Sequence, residues 1–330
     1  MLKLGIIGTG WISSSFVEAA HMTKQYRLEA VFSRSLASGL SFSEDYAEVS
    51  LYEDLDEFLT HDLDIIYIAS PNAIHFSQAK AAILAGKNII VEKPAFSNPT
   101  ELSEIIALAE EEKVLFFEAA RNIHETSFEI INNFLANKTV IGADFTYSKY
   151  SSKMPALLRG ELPNKFNPKF SGGLLADLGV YLLYAAIYWF GKPEDAHYDA
   201  VVLPSGVDIA GIGSLDYKNF KVAIKCAGNL TSYLPSEIYT TDGTLILDGV
   251  NAIKKAKFVK FDGGTENIKI TAAKHNLYDE ALHFAEILNT ANTMSSQYLY
   301  KDLQSLAKDV AATSYTMRQS AGIHFTADKD

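Results

Sequence analysis

From Leu2 to about Ala120 the chain alternates short apolar runs with stretches of helical periodicity. Strands joined by crossover helices pair in parallel, so this rhythm calls for an open parallel sheet with helices packed on its faces. Leu2–Ile7, Leu28–Phe32, Ile65–Ala69, Asn88–Val91 and Val114–Glu118 read as strands. Trp11–Met22, Leu55–Thr60, Ala73–Ala85 and Thr100–Glu112 read as helices, the last starting after Asn98-Pro99 and the third closed by Gly86. Five or six such strands make one doubly wound nucleotide-binding domain.

Beyond Glu118 the rhythm changes. Apolar runs at Val140–Lys149, Val201–Leu203, Ile209–Tyr217, Phe220–Ala227, Ser236–Thr241, Thr244–Leu247 and Ala256–Phe261 follow one another through short turns, which favours antiparallel pairing. Tyr217-Lys-Asn-Phe220 and Thr241-Asp-Gly-Thr244 have hairpin chemistry. Helices over Leu277–Thr290 and Ser296–Met317 close the chain. The expected fold is α/β: an N-terminal Rossmann domain over 1–120, then an α+β domain with a large, mainly antiparallel sheet over 121–330. With 330 residues, two domains also suit the usual domain size.

The net charge of −11 is concentrated early, with 8 basic and 18 acidic side chains in residues 1–120. A phosphate backbone would be repelled on average, so no nucleic-acid partner is expected, and any anionic ligand must be bound locally. A single cysteine, Cys226, lies in an alternating run, where it reads as a buried small hydrophobe; one cysteine excludes an intramolecular disulfide and a cysteine-based zinc cage, and no metal is expected. Met1–Gly5 carries no signal-peptide pattern. The run Leu178–Gly191 is too short to span a bilayer, so a buried helix and no membrane partner are expected.

Chemistry concentrates at a few turns. Gly8-Thr9-Gly10-Trp11-Ile12 stands directly between the first strand and the first helix. There Gly8 makes the tight turn, Gly10 lets the backbone approach a pyrophosphate, and the helix N-terminus faces the phosphates; Ser13 occupies the place of the usual third glycine. The second strand ends in Phe32-Ser33-Arg34-Ser35, without the carboxylate that reads a ribose 2′-hydroxyl. Arg34 suits a 2′-phosphate, with Ser33 and Ser35 as hydrogen-bond donors, so NADP(H) is favoured over NAD(H), which remains possible. Ser70-Pro71-Asn72, with His75, and Glu92-Lys93-Pro94 follow later strand ends, where open α/β sheets place their ligands. In the second half, Ser171-Gly172-Gly173 leads to Asp177 and Tyr181, four residues apart and on one helix face. Tyr184 and Trp189 read as core.

Gly8-Thr9-Gly10, Pro71 with His75, Ala85-Gly86-Lys87, Glu92-Lys93-Pro94 and the Gly172–Tyr181 stretch together resemble the glucose-fructose oxidoreductase/inositol dehydrogenase/rhizopine-catabolism (Gfo/Idh/MocA) superfamily. Tyr181, where many members have histidine, is more similar to the dimeric dihydrodiol dehydrogenase/NADP-dependent D-xylose dehydrogenase branch. The resemblance implies a cytoplasmic oxidoreductase, a homodimer or homotetramer, that moves hydride between nicotinamide and a sugar, polyol or diol. It implies Lys93 as the cation stabilising oxyanion character, Tyr181 as proton donor or acceptor, and Asp177 orienting them. Lys93, Arg121, Asn122, Asp177 and Tyr181 are the expected substrate contacts. Gly8, Thr9, Gly10, Trp11, Ile12, Ser33, Arg34, Ser70, Pro71, Asn72, His75, Glu92, Lys93 and Pro94 are the expected cofactor contacts. The alternatives are an NAD-dependent inositol-type dehydrogenase and a non-catalytic, dinucleotide-binding regulator of sugar genes. The segment Pro155–Phe170 has no role readable at this level.

Overall fold

Ile65–Ile68 and Ile89–Val91 are buried at every position, the pattern of strands covered on both faces. They lie inside a six-stranded sheet in which every pairing is parallel, in the order β3-β2-β1-β4-β5-β6. These strands are β1 (Leu2–Ile7), β2 (Tyr26–Phe32), β3 (Ser50–Tyr52), β4 (Ile65–Ile68), β5 (Asn88–Glu92) and β6 (Phe116–Ala119). The helices between them are α1 (Trp11–Thr23), α2 (Leu36–Ser43), α3 (Leu55–Thr60), α4 (His75–Leu84) and α5 (Pro99–Glu111). Asn98 caps α5, its side chain accepting from the Glu101 amide with Pro99 in the first turn. The computed structural model describes residues 1–46 and 48–329.

The chain divides into two compact units, Met1–Arg121 with Lys274–Lys308, and Asn122–Ala273 with Asp309–Asp330. The division expected at 120/121 differs in one segment: Lys274–Lys308, carrying α9 (Tyr278–Asn289) and the first half of α10 (Met294–Ser320), belongs with the first unit. The cause is an open sheet face. Leu277, Ala281, Phe284, Ala285 and Ile287 are buried in one cluster with Leu4, Phe16, Tyr67 and Phe117, and Phe117 stacks on Phe284 with centroids 4.7 Å apart. Each leucine, isoleucine or phenylalanine among them contributes about 1.5–3 kcal/mol on burial.

The second unit contains α6 (Thr126–Leu135), α7 (Met154–Leu158), α8 (Val180–Phe190) and eight strands. The strands are β7 (Val140–Ser148), β8 (Asp195–Val202), β9 (Asp208–Asp216), β10 (Lys221–Ala227), β11 (Ser236–Thr240), β12 (Gly243–Leu247), β13 (Ala256–Lys260) and β14 (Thr265–Ile268). They form one sheet in the order β14-β13-β12-β11-β7-β10-β9-β8, antiparallel except for the β7–β10 pair. Both expected hairpins are present, joining β9 to β10 and β11 to β12. Helix α8 is the core helix of this unit, with Leu182, Leu183, Tyr184, Ala185 and Ala186 buried. The stretch Pro168–Phe190 has the length and apolarity to cross a membrane, and 83% of its most apolar window is buried within the protein.

Candidate functional site

Two glycines of the first turn serve different ends. Gly8 has φ +97°, and a Cβ there would lie 2.8 Å from the Ala69 carbonyl oxygen, so the fold itself requires glycine. Gly10 has an ordinary extended backbone, and a Cβ there would meet nothing within 4 Å. No packing within the chain demands glycine at position 10; the space beside it is open. Helix α1 begins there with no side-chain cap and no acidic residue in its first turn, so its leading N–H groups offer donors and a positive dipole end to an anion. Trp11 is exposed and Ile12 half-buried in that turn. Ser13 is fully buried, and its hydroxyl has no hydrogen-bond partner among the described residues.

A cleft of about 270 Å³ opens at these strand ends. Gly8, Thr9 and Gly10 line one side, Ser33, Arg34 and Ser35 another, and Ala69, Ser70 and Pro71 a third. Ser38, Ile74 and Gln78 also line it and were not anticipated. Gln78 accepts a 2.6 Å bond from the Ser70 hydroxyl, and Ser38 donates its amide to the Ser35 cap of α2. Among the described lining residues Arg34 alone is charged. Asn72 opens a 3₁₀ turn ahead of α4. His75 does not line the cleft: it is fully buried, with its ring nitrogens 3.0 Å from the Ala95 carbonyl and 2.7 Å from the Ser70 carbonyl. Burial pushes its pKa down. His75 therefore ties the Ser70–Pro71 turn to the loop after β5. A cleft with open space at a glycine, an uncapped helix start and one arginine in its lining fits a dinucleotide.

At the end of β5 the Lys93–Pro94 bond is cis. Tyr67 donates its hydroxyl to one oxygen of Glu92, and the Lys93 amide donates to the other at 3.1 Å. Burial pushes the Glu92 carboxyl up, and the neighbouring Lys93 charge opposes it. Glu280, in the first turn of α9, is 1% exposed, and neither carboxyl oxygen has a hydrogen-bond partner among the described residues. Its carboxyl is held well above the usual range by burial and then by the Glu92 charge, with Arg121 opposing. Sequence reasoning missed Glu280; the signal was a carboxylate in the helical stripe Leu277, Ala281, Phe284.

In the second unit Leu175–Gly179 is a π turn running directly into α8, and it carries Asp177 four residues ahead of Tyr181. Asp208 holds its start: Oδ1 accepts from the Leu174 amide at 3.0 Å, and Oδ2 accepts from the Leu175 amide at 2.7 Å and the Tyr198 hydroxyl at 2.8 Å. The Tyr198 hydroxyl also lies 3.4 Å from Sγ of the buried Cys226. Asp177 forms a 2.6 Å ion pair with Lys165. The Tyr181 ring meets Tyr147 edge-on at 5.8 Å, and its carbonyl accepts from Asn122 Nδ2 at 3.2 Å. Asn122, expected to touch substrate, is fully buried, and its amide also donates to the Val250 carbonyl; it braces the Tyr181 backbone instead. Trp189, expected in the core, is half-buried; it stacks on Phe128 and donates to its carbonyl.

Residues 2–120 match the model of an oxidoreductase family with an NAD-binding Rossmann fold (GFO_IDH_MocA), and residues 140–246 match the GFO/IDH/MocA C-terminal domain. The chain is 33% identical to scyllo-inositol 2-dehydrogenase (NADP(+)) IolU of Bacillus subtilis, covering 100% of both chains. It is 27% identical to trans-1,2-dihydrobenzene-1,2-diol dehydrogenase of Danio rerio, covering 74% of this chain and 73% of that one. The crystal structure of KijD10, a 3-ketoreductase from Actinomadura kijaniata in complex with NADP and TDP-benzene, superposes with a TM-score of 0.83 at 17% identity, covering 98% of this chain and 99% of that one.

Proposed function

Because the chain belongs to the GFO/IDH/MocA family of NAD(P)-dependent oxidoreductases, we propose that it uses NADP(H) to interconvert a secondary alcohol and a carbonyl of a sugar, polyol or diol. The observation that carries the cofactor choice is the cleft whose one charged described lining residue, Arg34, stands at the end of β2 where an NAD site has a carboxylate. Gly8, Thr9 and Gly10 would hold the pyrophosphate with the start of α1, and Ser33, Arg34 and Ser35 the adenosine 2′-phosphate. Ser70 and Pro71 would line the path toward the nicotinamide. When bound, the cofactor supplies or accepts the hydride.

The residues of this chain would then manage the substrate oxygen. In this reading Lys93 presents a cation that stabilises developing oxyanion character, while Tyr181 gives or takes the proton there. Glu92, fixed by the Tyr67 hydroxyl, is the counter-charge beside Lys93. Asp177 accepts a hydrogen bond from substrate. A cytoplasmic homodimer or homotetramer is part of the same reading. The test is a set of initial rates with scyllo-inositol, D-xylose and trans-cyclohexane-1,2-diol, each assayed with NADP and with NAD. Turnover with NADP at a much higher kcat/KM is expected; turnover with NAD alone, or none with either, overturns the proposal.

A further inference from the structure

Lys165 lies in the Pro155–Phe170 stretch that the sequence leaves without a role, yet its place is built. Its carbonyl accepts from the Gly173 amide at 2.7 Å, and a Cβ on Gly172 would lie 2.4 Å from that same oxygen. Gly172 is thus what lets the Lys165 backbone close on the start of the π turn. From there the Lys165 ammonium reaches Asp177 at 2.6 Å, and the two side chains remain 31% and 29% exposed. The pair is neither sealed in the core nor loose on the surface.

An ammonium has three N–H donors and no acceptor, whereas an ionised carboxylate only accepts. One ammonium donor engages Asp177. Two gauche hydroxyls on adjacent carbons hold their oxygens about as far apart as the Lys165 ammonium and the Asp177 carboxylate, so one can accept from the ammonium while its neighbour donates to the carboxylate, and a lone hydroxyl fills only one half of that parallel pairing. Asp177 stands four residues ahead of Tyr181 on the same helical run, which puts this pair next to the proposed proton donor.

We propose that Lys165 and Asp177 form a donor–acceptor clamp for a vicinal diol, with Lys165 the residue that sets preference for a neighbouring hydroxyl. This rests on Tyr181 acting at the substrate oxygen. The test compares kcat/KM for trans-cyclohexane-1,2-diol and cyclohexanol, and for butane-2,3-diol and butan-2-ol, in the native enzyme, Lys165→Met and Lys165→Arg. The native enzyme is expected to prefer the diol of each pair, Lys165→Met to lose about 10–100-fold of that preference, mainly through KM, and Lys165→Arg to recover much of it. A merely structural lysine would lower both members of a pair in the same proportion. An unchanged diol preference in a folded Lys165→Met, or a parallel loss on both substrates in both variants, overturns the clamp while leaving the oxidoreductase reading intact. Failure of the native enzyme to turn over any of the four overturns the clamp, and failure on scyllo-inositol and D-xylose as well removes the oxidoreductase reading.

Discussion

Glycines two positions apart separate what the fold needs from what a ligand needs. Gly8 is forced by the Ala69 carbonyl and a positive φ, whereas Gly10 borders open space. Gly10→Val is therefore expected to melt within a few degrees of the native protein yet lose the thermal shift that NADP produces; a full shift in the variant would make position 10 irrelevant to binding. Arg34 is the second discriminating residue. A charge-assisted contact to a 2′-phosphate implies that Arg34→Ala weakens NADP by about one to two decades and leaves NAD nearly unchanged, as titration calorimetry would read. Equal losses for both cofactors would place Arg34 on some other part of the ligand. At the chemical step, Tyr181→Phe should lower kcat by about 10²–10⁴ with NADP affinity retained, the range of a lost general acid or base. Near-native single-turnover hydride transfer in that variant would assign the proton to another group.

The π turn Leu175–Gly179 carries Asp177 and runs into the helix that carries Tyr181, and its support is a buried carboxylate. Gly173 has φ +117°, and a Cβ on it would stand 2.3 Å from Asp208 Oδ1, the atom that accepts from the Leu174 amide. Gly173→Ala must break that bracket or strain the backbone, so a loss of about 2–4 kcal/mol is expected in chemical denaturation. A loss under about 0.5 kcal/mol would show that the turn does not depend on Asp208. The strand and helix rhythm was legible because fully apolar runs such as Ile65–Ile68 and turn residues such as Asp242-Gly243 state their roles locally. Helix α2 and strand β3 were not, since Leu36–Ser43 is rich in serine and Ser50–Tyr52 is three half-buried residues. β14, exposed at the sheet edge, has no alternating apolar signal either. The motifs around Gly8, Arg34 and Lys93 could be found by residue type and position after a strand, and Asp177 by the glycines before it and its four-residue spacing from Tyr181. Lys165 and Asp208 could not, because each is defined by a partner elsewhere in the chain, and Glu280 showed only as a carboxylate within the apolar stripe Leu277, Ala281 and Phe284.

Over the whole molecule, the first unit is completed by Lys274–Lys308, which the chain supplies only after building the second sheet. That return segment brings in Glu280, whose carboxyl, like those of Glu92 and Asp208, burial holds above its usual range. The direction sets how stability varies with pH. A folded carboxyl that keeps its proton where the unfolded chain has lost it contributes stability that is fully present below about pH 4.5, the ordinary value for glutamate, and is lost as pH rises toward the folded value. Each pH unit in that window costs up to about 1.4 kcal/mol for one such group. Glu280→Gln keeps the shape and stays neutral at every pH, so its stability relative to the native protein should climb from pH 5 to pH 8 by about 1–3 kcal/mol. Any penalty from the added amide donors is the same at every pH and leaves that climb unchanged. Urea unfolding of both proteins across this range measures it. A difference that stays constant with pH would mean that Glu280 ionises as freely in the folded protein as in the unfolded chain, and that its burial among Leu277, Ala281 and Phe284 does not hold its proton.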